Sequence, residues 1–182
     1  MISIEDKLIG GIDDRDSAHI DERMLLYALI RAIKPKVCVE TGTHRALTTL
    51  YMANALYDNG EGIVHSYDPF EWEQERNVEK FLKLKKHIVL YKDKGENVKV
   101  DNIDFAFIDG YHEEEFVLAE MKAILPRLAE KAVVVFHDCG GDNKFVGVNA
   151  AIKKLGLETS YLPTANDMRI YGHFNKFIEY DK

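Results

Sequence analysis

Cysteine is nearly missing from this 182-residue chain: Cys38 and Cys139 are its only two, and they are far apart. That excludes a disulfide framework for a domain of this size, and without CxxC spacing it also excludes zinc-ribbon or dithiol chemistry. A reducing, cytoplasmic setting is expected. The sequence also lacks a run of about 18 apolar residues, so no membrane span is expected. Its first residues, MISIEDKLIGGIDDRD, are acidic where a signal peptide would be basic and then apolar. Positive charge is short as well: 24 Lys and Arg stand against 31 Asp and Glu, for a net charge of −7, which excludes general nucleic-acid binding. The four prolines are scattered singly, and no repeat or Pro/Ser-rich linker interrupts the chain. Residues 1–182 therefore read as one domain, with residues 1–16 as an N-terminal segment that could help form an acceptor pocket. A homo-oligomer is compatible with this composition.

What is present is a folded α/β pattern. Apolar residues make up 46% and charged residues 30%, close to the globular average, so the chain can bury a core. Short β-branched or aromatic runs occur at residues 37–40, 63–67, 88–91, 105–108 and 132–136, and segments with helical apolar spacing lie between them. The clearest helix follows His112. Its Val117, Met121, Ile124, Leu125 and Leu128 share a stripe, and Glu113, Glu114 and Glu115 favour its positive N-terminal end. An earlier helix is expected over residues 17–33, capped by Asp16 or Ser17 and stopped by Pro35; another, carrying Val148, Ile152 and Leu155, ends near Gly156. Residues 159–162 and 168–171 have no helix between them and read as an antiparallel hairpin at the sheet edge. The expected fold is a doubly wound, mostly parallel seven-stranded sheet covered on both faces.

In such sheets the ligand crevice lies beyond the C-terminal ends of the strands, where the strand order switches. Those ends are unusually polar here: Glu40-Thr41-Gly42-Thr43, Tyr67-Asp68-Pro69, Ile108-Asp109-Gly110-Tyr111-His112 and Phe136-His137-Asp138-Cys139. Gly42 lets backbone approach a ligand without a Cβ in the way. Glu40 would repel a pyrophosphate and attract an ammonium group, which favours a cofactor bearing an amino acid over NAD. Asp68, 28 residues later, has the spacing of a carboxylate that accepts ribose hydroxyls, although an Asp before Pro69 also starts an ordinary turn. Asp109 and Asp138 end neighbouring strands and could converge on a hard cation such as Mg²⁺ or on a substrate hydroxyl. His112 and His137 beside them suit proton abstraction, with His112 the leading base; structural histidines are the competing reading. Cys139 next to His137 is given no role. Lys80, Lys83, Lys85 and Lys86 read as the solvated face of a helix bearing Val78, Phe81 and Leu82, and Phe70 and Trp72 as marginal core aromatics.

Together the ETGT, IDGxH and HD strand ends resemble class I S-adenosylmethionine-dependent methyltransferases, in particular a small-molecule O-methyltransferase branch. The resemblance runs over residues 17–172. It implies a Rossmann-like methyltransferase fold, S-adenosylmethionine as cofactor, and a small-molecule acceptor such as a sugar or natural product. It implies that Glu40, Thr41, Gly42 and Thr43 hold the methionine part, that Asp68 holds the ribose, with Asp109 also at the cofactor, and that residues 92–96 approach the adenine. Asp109, His112 and His137 are the implied catalytic residues, and Asp109 and Asp138 the implied metal ligands. Ala46 stands where the family has a glycine, and Leu47 follows where a small residue is common. A non-catalytic binder of the same fold and a metal-dependent phosphohydrolase built on Asp109, His137 and Asp138 are the alternatives.

Overall fold

The computed structural model describes Ile12, residues 16–140 and residues 146–172. The expected N-terminal segment therefore lies, apart from Ile12 and Asp16, outside the described residues. Seven strands form one sheet: β1 (Val37–Thr41), β2 (Ile63–Tyr67), β3 (Ile88–Tyr91), β4 (Ile103–Ile108), β5 (Leu128–Phe136), β6 (Ser160–Leu162) and β7 (Met168–Gly172). Their order is β3-β2-β1-β4-β5-β7-β6. β1 to β5 run parallel, β7 returns antiparallel to β5, and β6 pairs antiparallel with β7, so the final hairpin is as expected. The order switches between β1 and β4, which is where a doubly wound sheet opens its crevice.

Among the described residues five helices cover it: α1 (Ile20–Ile33), α2 (Leu47–Asn59), α3 (Gln74–Glu79), α4 (Glu114–Ile124) and α5 (Val146–Lys154). Alternation along the strands divides the core in two. Cys38, Phe105, Phe107, Val133 and Val135 face one layer with Leu26 and Ile30 of α1 and Leu50, Met52 and Leu56 of α2. Val39, Ala106, Ile108, Val134 and Phe136 face the other with Val117, Met121 and Ile124 of α4 and Val148 and Ile152 of α5. None of the described helices is long and apolar enough to cross a membrane.

Three boundaries differ from the sequence expectation. α1 begins at Ile20 because His19 is the N-cap: its ring accepts from the Asp21 amide, and Glu22 Oε2 accepts from the His19 amide at 2.8 Å. α3 stops at Glu79, which leaves Leu82 74% exposed beside the lysines rather than on a buried stripe. Leu128 belongs to β5, since Pro126 ends the helical run in a 3-10 turn and Leu128 pairs with Ile103 across a register shift.

Candidate active site

Beyond the strand ends lies a cavity of about 450 Å³, within the range of small-molecule sites. The end of β1 forms its central wall. Gly42 takes φ +85°, its amide donates to the Tyr67 carbonyl at 2.9 Å, and an added Cβ would stand 2.0 Å from the Asp109 carbonyl oxygen. Only glycine fits so close to the β4 turn. Ala46, which begins α2, also sits in the left-handed region at φ +65°. That conformation costs an alanine about 1 kcal/mol that a glycine would not incur.

Of the residues expected at a cofactor, Gly42, Thr43, Asp68 and Asp109 line this cavity, together with Lys94, Gly95 and Glu96 of the turn after β3. Asp68 is organised by backbone: its Oδ2 accepts from the His44 amide at 2.8 Å and its Oδ1 from the Phe70 amide at 2.9 Å. Glu40 and Thr41 point elsewhere, on opposite faces of β1. Glu40 is fully buried toward α2, where its Oε2 accepts from Thr49 Oγ1 and Ser66 Oγ, both at 2.5 Å. Burial, reinforced by the charges of Asp109 and Asp68, pushes its carboxyl up to about 8. Thr41 Oγ1 donates instead to Glu120 of α4 at 3.0 Å.

The turns after β4 and β5 bring Asp109, His112, His137 and Asp138 together, with one ligand atom of each within 4.8 Å of the others. His137 Nδ1 stands 2.8 Å from Asp109 Oδ1 and 3.3 Å from Asp138 Oδ2, while its Nε2 stands 3.0 Å from Glu22 Oε2. Burial alone would favour the neutral ring, but the Asp109 charge and the contacts to Asp109, Asp138 and Glu22 hold His137 as an imidazolium far above its ordinary value. Its charge in turn keeps Asp109 below the usual carboxylate value despite burial. His112 is more open. Its Nε2 lies 3.0 Å from Asp138 Oδ2 and 3.6 Å from Asp109 Oδ1, and these carboxylates outweigh burial and raise its pKa above 6.5. Cys139 keeps its proton, because burial pushes the thiol up to about 12.

Sequence reasoning missed Glu22 and Glu120. A signal existed for both: Glu22 is four and eight residues before the buried Leu26 and Ile30, and Glu120 lies three after Val117 and four before Ile124. A carboxyl on an apolar stripe marks a buried partner. Phe70, Trp72, Tyr111 and Phe116 also line the cavity, linked by ring contacts of 6.1, 6.4 and 4.9 Å.

A family model described as a methyltransferase domain matches residues 39–139, from β1 through the turn after β5 and so more than half of the chain. The chain belongs to this methyltransferase domain family. No curated protein matches it. Among solved structures, it is similar in fold to the O-methyltransferase from Bacillus cereus in complex with S-adenosylhomocysteine, with a TM-score of 0.71 at 16% identity over 90% of this chain and 85% of that one. The O-methyltransferase TomG from Streptomyces achromogenes, of tomaymycin synthesis and in complex with S-adenosylmethionine, gives 0.68 at 14% identity over 86% and 81%. CalS11, a TDP-rhamnose 3'-O-methyltransferase of calicheamicin biosynthesis, gives 0.66 at 19% over 84% and 79%.

Proposed function

We propose that this methyltransferase transfers the methyl of S-adenosylmethionine to a hydroxyl of a small molecule. The observation that carries this reading is that a single cavity joins Asp68, held by two backbone amides, to the Asp109–His112–His137–Asp138 cluster. S-adenosylmethionine supplies an electrophilic methyl on a sulfonium, so the protein must align an acceptor and take its proton. Gly42 and Thr43 form the bed of the methionine part, and Asp68 accepts ribose hydroxyls through the lone pairs its backbone donors leave.

His112 is the base. It lines the cavity and is only partly buried, whereas His137 is closed in by carboxylates at both ring nitrogens and positions Asp109 and Asp138 instead. Those two aspartates offer the oxygen ligands that suit a Mg²⁺, which would lower the pKa of an acceptor hydroxyl bound to it. Asp16, Ser17 and Ala18 close the cavity from the N-terminal side, which supports an acceptor pocket shared with that segment of one continuous domain.

Calorimetric titration with S-adenosylmethionine, S-adenosylhomocysteine and NAD, with and without Mg²⁺, tests the cofactor. Saturable binding of the first two and not of NAD is expected. In a screen of hydroxylated acceptors, His112→Ala should lower kcat by about 10²- to 10⁴-fold. In the unmodified protein, activity should rise with pH as His112 loses its proton, above 6.5. Hydrolysis of generic phosphate esters with Mg²⁺ or Mn²⁺, without cofactor binding, would replace this reading with a phosphohydrolase.

A further inference from the structure

Asn149 of α5 and Arg169 of β7 are not among the residues that line the cavity, yet both act on the turn that carries Asp138. Asp138 holds φ +54°, a left-handed conformation that is uncommon outside glycine and persists where its surroundings impose it. The next residue is where they do so. The Cys139 amide donates to the Asp167 carbonyl at 2.8 Å, and the Cys139 carbonyl accepts from Asn149 Nδ2, also at 2.8 Å. Both backbone groups of one residue are thus tied to elements outside β5, one in the β6–β7 turn and one on α5.

Arg169 decides which end of the Asn149 amide faces that turn. Its Nε donates to Asn149 Oδ1 at 2.8 Å, and a guanidinium only donates, so the amide nitrogen is left for the Cys139 carbonyl. The guanidinium is itself fixed: Nη1 donates to Thr159 Oγ1 at 3.4 Å, Cζ lies 5.7 Å from the centre of the Tyr161 ring, and the Arg169 backbone is paired with Phe136 at the end of β5. Asparagine is a poor helix former, and here both ends of its amide are committed away from α5. The contacts run from β7 through α5 to Cys139. They end one residue from a carboxylate whose Oδ2 stands 3.0 Å from His112 Nε2 and 3.3 Å from His137 Nδ1.

Resting on the proposed reading of Asp109 and Asp138 as oxygen ligands for a divalent cation, we propose that Asn149 is a positioning residue. Oriented by Arg169, it sets the turn from which the Asp138 carboxylate reaches the cation, and it acts only through Asp138. A purely structural clasp governs stability alone, whereas contacts that orient a ligand are worth about 10- to 100-fold in metal affinity.

The test titrates Mn²⁺ alone into the purified protein, following the free ion by electron paramagnetic resonance, and measures S-adenosylhomocysteine affinity calorimetrically on the same samples. The unmodified protein should bind Mn²⁺ saturably. Asn149→Ala should weaken Mn²⁺ by about 10-fold or more and leave S-adenosylhomocysteine within about 3-fold, which also shows that the variant is folded. Arg169→Met keeps Asn149 but removes the donor that orients it, and serves where alanine unfolds the protein. It should weaken Mn²⁺ less, and its effect should vanish in the Asn149→Ala background, because Arg169 reaches the turn through Asn149. Mn²⁺ affinity unchanged in both variants, a parallel loss of both affinities, or effects of the two substitutions that add in full would overturn the assignment while the cation reading stands. An unmodified protein that binds S-adenosylhomocysteine but no Mn²⁺ overturns the assignment and the cation reading together, and leaves the methyltransferase reading in place.

Discussion

Glu22 and Glu40 lie on the same face of the sheet, near the same rim, and neither exposes any surface, yet their carboxyls shift in opposite directions. Burial pushes both upward. Glu40 follows it to about 8; Glu22 ends at about 2. The difference lies in who faces them. Glu22 accepts from five donors, namely His137 Nε2, Thr164 Oγ1, the amide and side chain of Asn166, and the His19 amide, one of them a cation. Glu40 has two neutral hydroxyls on one oxygen, none of the hydrogen bonds on Oε1, and the charges of Asp109 and Asp68 nearby. A fully buried acid is thus charged or neutral according to its partners, and the protein uses one of each. Glu22 fixes the imidazolium that orders the Asp109 and Asp138 carboxylates, and Glu40 lies buried toward α2 without adding a further negative charge to the rim.

Breaking the charged member should have the largest effect. Glu22→Gln leaves His137⁺ facing a neutral amide, and loss of one partner of a buried ion pair costs about 3–5 kcal/mol. Urea denaturation at pH 7 measures it. Because the folded value of about 2 lies below the ordinary 4.5, the stability from Glu22 is complete above pH 4.5 and is lost as pH falls toward 2. The penalty of the substitution should therefore shrink over that window. A cost below about 1 kcal/mol at pH 7 would show that His137 is not held as a cation by this contact.

The neutral member should show the opposite pH dependence. Its folded value of about 8 lies above 4.5, so the contribution of Glu40 to stability is complete below pH 4.5 and is lost as pH rises through about 8. Glu40→Gln removes the ionisation, and relative to the unmodified protein it should gain on the order of 4 kcal/mol as pH rises from 5 through about 8, levelling off above it. A difference that stays flat across this window would mean that Glu40 is already ionised when folded, and the contrast with Glu22 would collapse.

The sequence carries the strands and the rim more fully than the contacts behind the rim. A period of two places His137, Asp109 and Glu40 on the face of Cys38, Phe107 and Val135, and the glycine and acidic turns mark the cavity. The partner of His137 is out of reach of that reasoning: Glu22 is 115 residues away, and which turn of α1 crosses the end of β5 depends on packing angles. The same holds for Glu120, 79 residues from Thr41. Glu40 was legible as a buried-strand carboxylate, but its direction was not used. Its parity with Cys38 points it into the α1–α2 layer, away from Thr41 and the α4 side.

The smallest test separates the two hydroxyls of Glu40 from its surroundings. Thr49→Val keeps the shape of a fully buried side chain and removes one donor, a loss worth about 1 kcal/mol for a neutral hydrogen bond and more for a bond to a charge. At pH 6 the folded carboxyl is protonated and the cost should be near the lower figure. At pH 9 it is ionised and the cost should rise, since a buried carboxylate then has only Ser66 Oγ left. In the Glu40→Gln background this pH dependence should vanish, and the double-mutant cycle isolates the pair. If Thr49→Val costs the same at both pH values, the hydroxyl supports α2 rather than the acid, and the high value of Glu40 would have to come from burial and its carboxylate neighbours alone.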